Sequence, residues 1–238
     1  MSQSSQPTPK PPAQESGATP DQPARRATLT NNYQRDWPRY FDAVAHSPPR
    51  DTCLRALAAL SESTKSGAMH AIDIACGEGR DTRAILAADL HWHVFATDSS
   101  REGLERLRRS LSSADAARVT LTQATMEELA ELAPTPRTAD FINASFALPF
   151  CHPSHFPLLW KWIGATLKPG AIFAGQLFGD RDEWANVRPG SHFTRAAAQN
   201  LFLGFELVHF EEVEKDGDDA MGGLKHHHVF HVVAKKHA

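Results

Sequence analysis

The sequence is short of cysteine, of tyrosine and of any excess of charge of one sign. Its three cysteines, Cys53, Cys76 and Cys151, are an odd number at wide spacing. That excludes a disulfide framework and a CxxC redox or zinc pair, and the expected compartment is a reducing cytoplasm. Lys and Arg number 25 against 28 Asp and Glu, a formal charge of −3. A nucleic-acid binder ordinarily carries a basic excess. No apolar run reaches the roughly 18 residues of a membrane helix. No apolar stretch follows the lone early basic residue, Lys10, so no secretory signal is expected. What remains is ordinary for a soluble globular protein: 41 % hydrophobic and 22 % charged residues.

Residues 1–28 contain no aromatic residue and six of the 16 prolines. Such a segment buries too little apolar surface to offset its ordering entropy. It reads as a disordered tail, either a spacer or a partner-binding segment. Residues 29–238 are enough for one well-buried domain.

Within that domain strands and helices alternate. Pro48-Pro49 opens a helix with an apolar stripe of Leu54, Leu57 and Leu60. Short apolar runs at 71–75, 93–97, 119–121, 140–144 and 171–178 read as strands. Helices are expected between them, over about 80–90, 126–132 and 194–202 and at two further places. One begins at a capping box of Ser99 and Glu102 and carries Leu104, Leu107 and Leu111. Another has Phe156, Leu159, Trp160, Ile163 and Leu167 on one face. Residues 205–213 and 227–234 form two last strands with only a polar hairpin between them, so they pair antiparallel. The fold class is α/β: five parallel strands covered on both faces, plus a terminal antiparallel hairpin. In such a sheet the ligand sits beyond the C-terminal strand ends, at the switch point.

The sharpest local feature is Asp73-Ile74-Ala75-Cys76-Gly77-Glu78-Gly79-Arg80, a strand that enters a glycine turn and then a helix. Glycine permits close backbone approach and positive φ. The helix N-terminus presents free N–H groups. Asp98 ends the next strand about 20 residues on, where an acid can accept from both ribose hydroxyls. The spacing fits neither the dinucleotide GxGxxG nor the phosphate loop GxxxxGK[ST]. Acids at Asp73 and Glu78 would repel a pyrophosphate, so a nucleoside without one fits better.

These residues resemble the first motif of class I S-adenosylmethionine-dependent methyltransferases, and Asp98 matches that family's ribose-binding acid. The resemblance covers nearly all of residues 31–238 and implies a doubly wound, mostly parallel, seven-stranded Rossmann-like sheet. The segments 143–150, 179–184 and 227–236 are similar to a bacterial subgroup often called tellurite-resistance-like. The resemblance implies S-adenosylmethionine as cofactor and a role for each matching position. Asp73 would hold the turn or the amino-acid end of the cofactor. Ala75, Cys76, Gly77 and Gly79 would wrap the methionine moiety. Asp98 would take the ribose, and Ser99 would flank the adenine. Thr125 and Met126 would sit at the adenine, and Asn143 would face the sulfonium. Two positions depart from the family pattern. Ala75 replaces the usual first glycine, and Thr125 stands where many relatives carry an acid.

Methyl transfer requires a nucleophile aligned with the methyl and water kept out. The aromatics Tyr33, Trp37, Phe146, Phe150 and Trp184 are either walls or lid of such a pocket, or core. Asp180 and Arg181 follow the fifth strand; Arg181 is either an anion clamp or a surface ion pair. His192 is either a base or a helix cap. No residue stands out as catalytic. Among the 13 histidines, His226 and His228 share one strand face while His227 and His231 share the other, so no metal site is expected. Six acids between Glu211 and Asp219 discourage a nucleic acid. Asn143-Ala144-Ser145-Phe146 also lacks the paired prolines of nucleic-acid amino-methyltransferases. The expected partner is therefore a small-molecule methyl acceptor: a metabolite oxygen, nitrogen or sulfur, or a chalcogen anion. The alternatives are a protein or nucleic-acid methyltransferase and a non-catalytic cofactor binder.

Overall fold

Apolar side chains of both parities along the strands require cover on both faces of the sheet, and the helices supply it. In the computed structural model the structure describes residues 36–61, 67–131, 138–186 and 190–238. The tail over residues 1–28 and the candidate Tyr33 lie outside them. The helices α1 (Trp37–Val44) and α2 (Asp51–Ser61) precede β1 (Met69–Ile74). Next come α3 (Arg80–Ala88), β2 (Trp92–Asp98), α4 (Arg101–Ser110), α5 (Ser113–Ala116), β3 (Val119–Gln123), α6 (Met126–Glu131) and β4 (Ala139–Ala144). A 3-10 turn at Leu148–Phe150 leads to α7 (Phe156–Thr166), β5 (Leu167–Gly179) and a second 3-10 turn at Glu183–Asn186. The chain then forms β6 (His192–Phe193), α8 (Arg195–Asn200), β7 (Phe205–Asp218) and β8 (Leu224–Lys236).

The sheet order is β3-β2-β1-β4-β5-β8-β7, with the two-residue β6 beside β5. β1 to β5 are parallel, and β8 is antiparallel to both β5 and β7. The order reverses between β1 and β4, which places the switch point there. The seven-stranded sheet with a terminal hairpin is therefore present, and β6 is an addition to it. Alternation sorts the core into two layers. Ile72, Ile74, Ile142 and Phe173 face α7 and α8, where Leu159, Ile163 and Phe202 meet them. Ala71, Val94, Phe141 and Ile172 face α2, α3 and α4, where Leu57, Ile85 and Leu107 meet them. A third cluster of Phe178, Trp184 and Val229, with Phe146 and Phe150 against it, lies around the C-terminal end of β5. No helix among the described residues is long and apolar enough to cross a membrane.

Three local expectations are corrected. Leu54 is 46 % exposed; α2 buries Cys53, Ala56, Leu57 and Leu60 instead. Residues 53, 56, 57 and 60 share a helical face that 54 leaves by about 100°. Ser100, not Ser99, caps α4 by accepting the Gly103 N–H at 3.2 Å. Asp98 already holds the Ser100 N–H at 2.7 Å, the group a capping-box glutamate would reach, and Glu102 pairs with Arg106 at 2.6 Å. Leu167 belongs to β5 rather than to the face of α7, and the hairpin strands run to 14 and 13 residues.

Candidate active site

The turn after β1 coils through left-handed conformations at alternate residues: Ala75 at φ 52°, Gly77 at φ 57° and Gly79 at φ 82°. Ala75, which departs from the family glycine, adopts the glycine conformation and bears a strain of about 1 kcal/mol. The glycines serve packing as much as flexibility. A Cβ on Gly79 would lie 2.2 Å from Leu107 Cδ1, and one on Gly103 of α4 would lie 2.9 Å from the Gly77 carbonyl. The turn is thus pressed against α4, and Gly79 is the N-cap of α3.

Asp98, at the end of β2, ties this turn to the start of α4. Its Oδ2 accepts the Gly77 N–H and its Oδ1 the Ser100 N–H, both at 2.7 Å. Burial raises its carboxyl, and these two N–H bonds oppose the rise. A carboxylate has about four acceptor positions, so each oxygen keeps one for a ligand hydroxyl. Thr125 makes a capping box with Glu128: Thr125 N–H donates to Glu128 Oε2 at 2.6 Å, and Glu128 N–H donates to Thr125 Oγ1 at 3.1 Å. Its hydroxyl is therefore engaged at the start of α6.

Beneath the turn lies a buried polar knot. Asn143 is fully buried; its Nδ2 donates to Asp73 Oδ1 at 2.9 Å and lies 3.3 Å from Asp81 Oδ2. Thr82 Oγ1 donates to Asp73 Oδ2 at 2.5 Å, and Ser145 Oγ donates to Asn143 Oδ1 at 3.1 Å. Burial, and then the neighbouring Asp81 charge, push the Asp73 carboxyl up to about 7. Cys76 lines the same place, and burial holds its thiol well above the usual range.

Three hollows open at this end of the sheet. A cleft of ≈ 50 Å³ lies among Tyr40, Asp73, Cys76, Arg80 and Ser145. It adjoins a cavity of ≈ 320 Å³ walled by Trp37, Asp98, Ser99, Thr125, Met126 and Phe146; Tyr40, Phe41, Ala75, Gly77 and Ser145 border both. A third cavity of ≈ 650 Å³ is lined by Arg50, Phe178, Trp184, Lys225, His227 and His231. It shares Trp37, Tyr40, Phe146 and Phe150 with the second. Phe146 holds φ 52°, and its N–H donates to Gln176 Oε1 at 2.8 Å, while Gln176 Nε2 donates to Thr52 Oγ1 at 2.9 Å. A buried glutamine thereby fixes Phe146, which borders both cavities.

Over residues 71–170 the sequence matches the family model described as a methyltransferase domain. Residues 71–170 thus match a methyltransferase domain, set in the class I fold. Its cofactor is S-adenosylmethionine. The turn, the free acceptor positions on Asp98 and the adjoining hollows fit that group. TehB from Haemophilus influenzae shares the fold at 14 % identity and TM-score 0.63, over 83 % of this chain and 65 % of that one. A Burkholderia thailandensis 1,6-didemethyltoxoflavin-N1-methyltransferase, solved with its substrate and S-adenosylhomocysteine, does so at 21 % identity and TM-score 0.57. That likeness covers 79 % of this chain and 78 % of the other. A methyltransferase bound to the Haloferax volcanii Trm112 activator matches at 13 % identity and TM-score 0.60, over 84 % and 94 % of the two chains. Comparison with curated proteins by sequence returns no match.

The methyltransferase brings most sequence candidates to these hollows. Asp73, Ala75, Cys76, Gly77, Asp98, Ser99, Thr125, Met126, Trp37, Phe146, Phe150 and Trp184 all line them. Gly79 supports from behind, and Asn143 lies one layer below, under Ser145. Asp180, Arg181 and His192 line none of them. Arg181 is the surface ion pair rather than the anion clamp: it bonds Glu214 and Glu212 at 2.8 and 3.2 Å and is half exposed. His192 precedes the cap of α8, which is Thr194, and its Nδ1 bonds the Gly190 carbonyl. His228 is buried where Gly179 leaves room for its ring and bonds Glu212 at 2.8 Å. The described residues contain no group of three metal-binding side chains. Sequence reasoning missed Arg50, Gln176, Lys225 and His231 as parts of the site. None has a motif around it, and only the folded sheet brings them together.

Proposed function

We propose that the methyltransferase moves a methyl group from S-adenosylmethionine to a small-molecule acceptor held in the ≈ 650 Å³ cavity. The observation that carries this reading is the shared border of Trp37, Tyr40, Phe146 and Phe150, where the two larger cavities meet. A cavity of this size suits a ligand of metabolite dimensions. The acids Asp216, Asp218 and Asp219 at its border disfavour a nucleic-acid strand.

On this reading Asp98 takes the ribose hydroxyls, and Ser99, Thr125 and Met126 border the base. The turn from Ala75 to Gly79, with Asp73 and Arg80, borders the methionine end. The bound cofactor supplies an electrophilic methyl on a sulfonium. The aromatic side chains at this border exclude water and align the acceptor's nucleophilic atom. Burial lowers the pKa of His227 and His231, so both are neutral bases in the acceptor wall.

Calorimetry with S-adenosylmethionine, S-adenosylhomocysteine and NAD tests the cofactor half. The first two bind and NAD does not. Asp98→Ala loses about tenfold or more in affinity, the worth of hydrogen bonds to a charged group. Equal affinities of wild type and D98A for S-adenosylhomocysteine would refute the assignment of Asp98.

A further inference from the structure

Arg50 is a cation in the acceptor cavity that lacks an anion. Among the described residues no carboxylate lies within ion-pair distance of its guanidinium. Its Nε is buried without a hydrogen-bond partner. The side chain lies 4.5 Å from the centroid of Phe146 and hydrogen-bonds the Tyr40 hydroxyl, which brings no charge. The nearby Asp81 accepts from the Arg50 backbone N–H at 3.0 Å, while its carboxylate also contacts Arg80 at 3.3 Å. Lys225, a fully buried cation of the same cavity, is different. It is 3 % exposed and has Asp182 at 2.5 Å. Burial lowers the Arg50 pKa, and the adjacent Arg80 adds to the effect. A guanidinium with a buried, unpartnered Nε and no counter-ion carries a cost that an anionic ligand would relieve.

Part of the wall is flat and aromatic: Phe146, Phe150, Phe178 and Trp184. We infer that Arg50 anchors the carboxylate of a planar aromatic acceptor, whose ring packs on these side chains. This rests on reading the ≈ 650 Å³ cavity as the acceptor site. The planar guanidinium fork matches a carboxylate in two parallel hydrogen bonds. The anchored group is not the atom that takes the methyl, because pairing with Arg50 would blunt its nucleophilicity. Asp216 and Asp218, exposed at the rim, are screened by salt over about 8 Å, whereas Arg50 acts at contact.

The test uses the full chain and reads binding, not turnover. S-adenosylhomocysteine is titrated first by calorimetry. With it at saturation, 2-naphthoate and its uncharged isostere 2-naphthamide are titrated by ligand-observed NMR. The acid binds wild type about tenfold or more tightly than the amide. Arg50→Gln makes the two equal, and Arg50→Lys, which keeps the charge without the fork, lies between. Thermal melting checks that each variant is folded, and the comparison of acid with amide in wild type stands without any variant. Equal affinity for the two probes, or no binding of either with S-adenosylhomocysteine bound, would overturn the inference alone. Failure of S-adenosylhomocysteine to bind wild type would overturn the cofactor reading, and this inference with it.

Discussion

Replacing Asp73 by asparagine should stabilise the protein at alkaline pH while impairing its site. Asp73 is 2 % exposed. Burial and the Asp81 charge raise its carboxyl from 3.8 to about 7 against the opposing bonds from Thr82 and Asn143. The folded pKa thus lies above the unfolded one. The folded state keeps a proton that the unfolded chain releases, so the stability from this group is complete below pH 3.8 and is lost as pH rises through 7. At 1.36 kcal/mol per unit, the loss has a ceiling of about 4 kcal/mol. Asparagine has the same shape and no charge. It retains one of the two hydrogen bonds and forfeits about 1 kcal/mol for the other. Asp73→Asn is therefore more stable than wild type at pH 8 by about 1–3 kcal/mol and no more stable at pH 4. Urea unfolding from pH 4 to 8 reads this as a midpoint that falls with pH in wild type more than in D73N, at an unchanged m-value. A stability difference that stays constant across that range would refute the reasoning. Cofactor affinity should fall in the same variant, a trade of function for stability.

Four further substitutions probe other parts of the argument. Gly79→Ala places a methyl group 2.2 Å from Leu107 at φ 82°, and should cost about 3 kcal/mol in urea unfolding. Gln176→Met removes the acceptor of the Phe146 N–H and the donor to Thr52, so stability should drop by about 2 kcal/mol and the Phe146 wall should loosen. Urea unfolding reads the first effect, and a change in tryptophan fluorescence anisotropy in a variant whose other four tryptophans are replaced by phenylalanine would report the loosening at Trp37. Asp182→Asn leaves the Lys225 charge buried beside Phe178 and Trp184 and should cost about 3 kcal/mol. Arg181→Ala, on an ion pair in solvent, should shift the melting temperature by no resolvable amount.

The strand–helix alternation was legible because each strand is a short apolar run bounded by a turn, and the parallel order follows from the helices between them. The glycine turn and Asp98 were legible because their function depends on spacing along the chain. Arg50 was not, since its partner surface comes from residues near 146, 178 and 184 and its own neighbours are two prolines and the start of α2. The sequence does not separate Ser99 from Ser100 as the cap, because adjacent serines are chemically equivalent there. Only the carboxylate of Asp98, reaching over to the Ser100 N–H, separates them. The choice for Arg181 between anion clamp and surface ion pair stays open in the sequence because its acids, Glu212 and Glu214, lie more than thirty residues away and arrive through strand pairing.

The position of β8 also constrains how the chain is made. β8 lies between β5 and β7 and pairs with β5 from Ile172–Lys235 to Phe178–Val229. During translation the edge of β5 therefore stays open until residues beyond 229 have left the ribosome. At about 5–20 residues per second that delay is on the order of several seconds. Through that interval Phe173 and Leu177, interior in the finished sheet, border an unpaired edge that invites another strand. The nascent chain should thus depend on chaperone cover until β8 emerges, and a ribosome stalled before residue 224 should display a sheet ready to aggregate.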